Sequence, residues 1–217
     1  MIVLNLKTYP ESIKNALLFA DIAKEVVDET GLRIVVCPPT LSLHESAERF
    51  SDVFAQHADA EAPGAHTGSI NAEMLKAAKA KGSLINHSEK RVADQARIKT
   101  TIDRLHEQGL ESLACAATAE EAAAIASFSP TYIAVEPPEL IGSGVSVSKA
   151  KPEVVANSVK AVKEVSRNVR VLCGAGVSNK DDTKKALELG AEGVLLASAF
   201  VKAKDPRAFL LDLASAF

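Results

Sequence analysis

The sequence has no tryptophan, and aromatic residues make up only 4% of its 217 positions. A core built from such a chain must rely on aliphatic and alanine side chains, which a 47% hydrophobic content supplies. Basic residues are in no excess: 25 Lys and Arg stand against 28 Asp and Glu, a net charge of −3. That balance argues against a nucleic-acid partner, whose binding surface is ordinarily strongly basic. No apolar run approaches the ~20 residues that a membrane-spanning helix needs, so no membrane partner is expected. The start, Met1 to Asn5, reads as a strand. It has no basic stretch before an apolar one and no small-residue cleavage site, so no signal peptide is expected. Cysteine is scarce: Cys37, Cys115 and Cys173 form an odd set without metal-ligand or redox-motif spacing. These thiols fit a reduced, cytoplasmic protein. No His, Asp or Glu spacing converges on a metal, and neither metal nor cofactor is expected.

What is present is an alternation. Short β-branched runs lie near Ile2–Asn5, Arg33–Cys37, Val53–His57, Ser83–His87, Ser112–Ala116, Tyr132–Glu136, Val169–Cys173 and Gly193–Ala197. Each is followed by a helical pattern: Ser12–Glu29, Leu41–Phe50, Ala72–Lys81, Ala93–Glu107, Ala119–Ser127, Lys149–Ser166, Asp181–Leu189 and Asp205–Ser215. Ser148, Asn179 and Asp205 read as helix starts, and Gly31, Gly82, Gly109 and Gly190 as helix stops. Strand, helix, strand with short connections implies parallel strands joined by right-handed crossovers. Eight units in one chain predict an α/β fold, a closed (β/α)8 barrel of eight parallel strands with outer helices. The alternative, an open doubly wound sheet, favours a Gly-rich turn after the first strand. Here that turn is Leu6-Lys7-Thr8-Tyr9-Pro10, without glycine. No linker or composition break divides the chain, so residues 1–217 read as one domain.

In such a barrel the C-terminal ends of the strands converge on one mouth. Glu136 ends an apolar run and is followed by Pro137, Pro138 and a stretch up to Gly142-Ser143-Gly144. A buried carboxylate is costly unless it has a partner or a task. Alone, such a Glu is more often a member of a structural ion pair. Two other strand ends change the weighing, because Asn5 and Lys7 follow the first strand and His87 the fourth. An amine, an imidazole and a carboxylate then face one cavity. Small residues follow the last two strands, at Gly174-Ala175-Gly176 and Ala197-Ser198, where backbone N–H groups can approach a phosphate closely.

Together these segments resemble the triosephosphate isomerase family, in its short archaeal form, over nearly the whole chain. The resemblance rests on Asn5-Leu6-Lys7-Thr8-Tyr9, Gly64-Ala65-His66-Thr67-Gly68, Asn86-His87-Ser88-Glu89-Lys90-Arg91, Val135-Glu136-Pro137-Pro138-Glu139-Leu140-Ile141-Gly142-Ser143-Gly144, Cys173-Gly174-Ala175-Gly176-Val177 and Gly193-Val194-Leu195-Leu196-Ala197-Ser198. It implies a TIM barrel that interconverts dihydroxyacetone phosphate and D-glyceraldehyde 3-phosphate, as in glycolysis and gluconeogenesis. Glu136 would be the base, His87 the electrophile, and Lys7 a substrate-binding cation with Asn5 beside it. Ile141 and Gly142 would belong to a lid over the phosphate. Gly174, Gly176, Ala197 and Ser198 would hold that phosphate, and Glu89 would hold Lys7 from beneath the site. The resemblance also implies a homodimer or homotetramer with loop 63–69 at the dimer interface, its Thr67 near the neighbour's Lys7 and His87. Where bacterial and eukaryotic members carry Trp at the first lid hinge, this chain has Glu139. Competing readings are a Schiff-base aldolase, which needs a buried strand-end Lys where Glu136 stands, and a non-catalytic phosphometabolite-binding barrel.

Overall fold

The computed structural model describes residues 1–136 and 147–217. Its strands are β1 (Ile2–Asn5), β2 (Ile34–Cys37), β3 (Phe54–Ala55), β4 (Gly82–Ile85), β5 (Glu111–Ala116), β6 (Tyr132–Val135), β7 (Arg170–Cys173) and β8 (Gly193–Leu196). They pair in parallel in the order β2-β1-β8-β7-β6-β5-β4-β3. A parallel bridge between Val36 and Val53 joins the two ends of that order. The expected TIM barrel is therefore the fold. Around it run α1 (Pro10–Thr30), α2 (Leu43–Arg49), α3 (Ala72–Ala77), α4 (Gln95–Glu107), α5 (Ala119–Ala126), α6 (Val147–Ala150), α7 (Pro152–Val165), α8 (Lys180–Glu188), α9 (Ser198–Val201) and α10 (Pro206–Ala214). Among the described residues, no helix is long and apolar enough to cross a membrane.

Side-chain parity along the strands separates two cores and aims the site. Val3, Val35, Phe54, Leu84, Leu113, Tyr132, Ala134, Leu172 and Leu195 pack together inside the barrel. Their neighbours Ile2, Leu4, Ile34, Val36, Ile85, Ile133, Val135 and Val171 pack with the helices outside it. Continuing the inward parity of Tyr132 and Ala134 places Glu136 inward, just beyond β6. The same count from Val3 places Asn5 and Lys7 inward, and from Leu172 it places Gly174 inward. At the opposite end Arg33 pairs with both Asp52 and Glu111 and also donates to the Tyr132 hydroxyl. Arg170 stacks on the Tyr132 ring, 4.2 Å from its centroid. This polar cluster lies at the end of the barrel opposite the mouth.

Three boundaries differ from expectation. Gly82 does not stop a helix; it is the first residue of β4. A Cβ there would lie 2.4 Å from the Glu111 carbonyl oxygen and 2.7 Å from the Phe54 ring, so the glycine makes room for inter-strand contact. The chain leaves α3 earlier, through Lys79 at φ 63°. Ser148 does not cap a helix either: it lies within α6, and its hydroxyl donates to the Asp182 carbonyl. The single helix expected over 149–166 is broken at Lys151, because Pro152 disfavours helical backbone in the residue before it. Asn179 and Asp205 do cap α8 and α10, accepting from Asp182 N–H and Ala208 N–H.

Candidate active site

The mouth of the barrel holds a cleft bordered by Lys7, Tyr9, His87, Glu136, Gly174, Gly176, Leu196, Ala197 and Ser198. Glu136 is 3% exposed, and its Oε2 has no hydrogen-bond partner among the described residues. Burial raises its carboxyl to about 7, against the opposing effects of a Cys115 thiol hydrogen bond and the Lys7 charge. The group is thus a stronger base than an ordinary carboxylate and has one oxygen free to use.

His87 faces it, with Nε2 3.6 Å from Glu136 Oε2. That gap is too long for a direct hydrogen bond. The imidazole Nδ1 accepts the backbone N–H of Glu89 at 3.1 Å. Burial first, and then the Lys7 charge, lowers the His87 pKa to about 4. The ring is therefore neutral near pH 7, and accepting at Nδ1 assigns its proton to Nε2, the nitrogen turned toward Glu136. A carboxylate able to take a proton from carbon and an N–H able to donate to an adjacent oxygen stand together.

Lys7 takes a left-handed backbone, φ 49°, which side chains other than glycine adopt at a cost. Two neighbouring side chains hold that shape. Asn5 Oδ1 accepts the Lys7 N–H at 3.1 Å, and Gln56 Nε2 donates to the Lys7 carbonyl at 3.0 Å. The ammonium is then fixed by Glu89, Nζ to Oε1 2.7 Å. Among the described residues, no group of three or more His, Cys, Asp or Glu is placed to hold a metal ion.

A sequence profile described as triosephosphate isomerase matches residues 1–217. The chain belongs to the triosephosphate isomerase family. It is 52% identical to the triosephosphate isomerase of Methanothermus fervidus over 215 residues, 98% of this chain and 96% of the relative. The triosephosphate isomerase of Methanocaldococcus jannaschii is 51% identical over 98% of each chain. That of Archaeoglobus fulgidus is 51% identical over 98% of this chain and 96% of its own.

Against the roles that membership in the triosephosphate isomerase family implies, the structure gathers Lys7, His87, Glu136, Gly174, Gly176, Ala197 and Ser198 at one cleft. Asn5 does not border it. Asn5 lies on an adjoining hollow with Gln56, His57 and Glu89, where it holds the Lys7 backbone. Glu89 is at the rim and not beneath the site, its side chain 58% exposed. Gly174 stands directly against the base: a Cβ there would be 2.5 Å from Glu136 Cγ. Thr67 is exposed and does not border the cleft. Ile141, Gly142 and the rest of the expected lid lie outside the described residues. Sequence reading missed Gln56 and the Cys115–Glu136 contact. The first had no motif to mark it. Cys115 shares the inward parity of Glu136 on an adjacent strand, a signal that pairing β5 with β6 would have supplied.

Proposed function

We propose that this chain interconverts dihydroxyacetone phosphate and D-glyceraldehyde 3-phosphate at the cleft. The observation that carries the reading is the raised-pKa carboxylate of Glu136, whose Oε2 has no hydrogen-bond partner among the described residues and lies 3.6 Å from the Nε2 of a neutral imidazole. Glu136 removes a proton from the carbon beside the carbonyl. His87 Nε2–H donates to the oxygen on which negative charge develops, giving an enediolate. The hydroxyl proton on the deprotonated carbon then passes to the former carbonyl oxygen, with His87 Nε2 as the relay, and return of the carbon proton to the neighbouring carbon completes the isomerisation. Lys7 places a positive charge near both the phosphate and the developing oxyanion in a partly dry site. Gly176, at φ 69°, turns its loop against the cleft. With Ala197 and Ser198, at the start of α9, it offers backbone N–H groups that short helices leave without internal partners. The binding energy of the phosphate, remote from the reacting carbons, contributes to the rate of the proton transfer. A coupled assay with glyceraldehyde 3-phosphate tests the reading. Turnover is expected without added metal or cofactor; a folded sample with none would end it.

The whole chain, 1–217, acts in this reading as one catalytic domain of the cytoplasm, where its three buried free thiols stay reduced. It acts as at least a dimer, with a homotetramer as the larger form. Loop 63–69 is exposed along almost its whole length, and Leu41, in the turn that follows β2, is 98% exposed. The hollow bordered by Lys7, Gln56, His57, Glu89 and Lys90 offers a polar seat for the neighbour's Thr67. Such exchange is self-complementary and closes as a two-fold dimer. Light scattering at assay concentration is expected to give a dimer or tetramer mass, and a fully active monomer would defeat this part.

A further inference from the structure

Behind the cleft, Glu121 at the start of α5 makes more contacts than a surface carboxylate needs. Its Oε1 accepts from Asn86 Nδ2 at 3.1 Å and Arg91 Nη2 at 2.7 Å. Its Oε2 accepts from Arg91 Nη1 at 3.2 Å and the Ala117 N–H at 2.8 Å. The fully buried Asn86 immediately precedes His87 and has a left-handed backbone, φ 61°. Its side chain also donates to the Cys115 carbonyl at 2.9 Å and accepts the Val92 N–H at 3.0 Å. Segment 86–92 is thus tied at both ends: Asn86 binds Val92, and Glu121 bridges Asn86 to Arg91. His87 lies inside that closed segment. On the other side, Ala117 follows Ala116, whose carbonyl accepts the Glu136 N–H at 2.8 Å.

Resting on the function proposed above, we infer that Glu121 is a positioning residue for catalysis. Its carboxylate locks the end of β4, which presents His87, to the end of β5, against which Glu136 is hung. One side chain thereby sets the distance between the two reacting groups. Burial pushes the Glu121 carboxyl up, but the Arg91, Ala117 and Asn86 donors outweigh it and keep the group ionised at neutral pH. A hollow bordered by Asn86, Ser88, Arg91, Cys115 and Glu136 adjoins both the clamp and the base. Loss of the clamp gives both strand ends room to relax into it. The opposing view is an ordinary ion pair, since the Arg91 and Glu121 side chains are 47% and 19% exposed. Such a pair contributes little, and its removal leaves turnover alone.

The test compares Glu121→Gln, Arg91→Gln and the double variant, each checked for folding by circular dichroism and thermal melting. Displacement of ~1 Å at a reacting group costs up to ~100-fold, so kcat is expected to fall at least about tenfold in each single variant. KM and the inhibition constant of inorganic phosphate are expected to stay within about twofold, because the phosphate-side loops are untouched. The double variant is expected to be no worse than the worse single one, the mark of residues acting as one unit. Lowered melting temperature with normal kcat would overturn the inference. Should Glu121→Gln not fold, Arg91→Gln, at the solvent side of the clamp, decides alone by the same criteria. His87→Gln serves as the control. Normal turnover there would defeat the reading of the site itself. A loss there with normal turnover in the clamp variants would defeat only the clamp.

Discussion

Shortening Glu136 to aspartate is expected to lower kcat about 100-fold while changing KM little, because ~1 Å of misplacement at a reacting atom has that cost. The loss corresponds to about 2.7 kcal/mol of transition-state stabilisation. The carboxylate cannot recover by drifting. Its Cγ is packed against Gly174, its N–H is bound to the Ala116 carbonyl, and it receives the Cys115 thiol. Glu136→Asp keeps the charge, so a charge-only role for this residue predicts near-normal turnover. Steady-state kinetics on the purified variant, with circular dichroism to show the fold, separates the two. Near-normal kcat would remove Glu136 from the role of base.

Gly174→Ala is expected to reach a similar loss while leaving every reacting residue in place in the sequence. The new Cβ would stand 2.5 Å from Glu136 Cγ, 3.2 Å from Cδ and 3.1 Å from Oε1. Real side chains do not tolerate the first of these, and Glu136, at 3% exposure, is not a flexible end free to swing away. The carboxylate must rotate, and its distance from His87 Nε2 must change. We expect kcat to fall by about 10- to 100-fold with a modest change in KM. The decisive comparison is in a Glu136→Gln background. There Gly174→Ala is expected to add almost nothing, since the two changes act through the same atoms. A full additional loss in that background would show that Gly174 serves the phosphate and not the base.

The outcome at Gly174 also shows where sequence reading stopped. The barrel was legible because eight short β-branched runs alternate with helical stretches, and the site because Glu136, His87 and Lys7 fall at strand ends. Convergence of those residues follows from topology alone. What Gly174 faces does not, because its neighbour comes from the adjacent strand β6. For the same reason Gly82 read as a helix stop, whereas its actual constraint is the Phe54 ring from β3. The left-handed turns at Lys7, Lys79 and Asn86 carry no glycine to mark them. Tertiary partners support two of the three: Asn5 and Gln56 for Lys7, and Glu121 and Cys115 for Asn86. The break between α6 and α7 was within reach, since Lys151 stands before Pro152.

The central claim is that Glu136 moves a proton between substrate carbon and solvent-exchangeable protein sites. Deuterium incorporation from heavy water into dihydroxyacetone phosphate, followed by NMR, tests it most directly. The native chain is expected to place deuterium on the carbon that loses its proton, at a rate comparable to turnover. A folded Glu136→Gln variant is expected to incorporate almost none. Incorporation by that variant at the native rate would contradict the account.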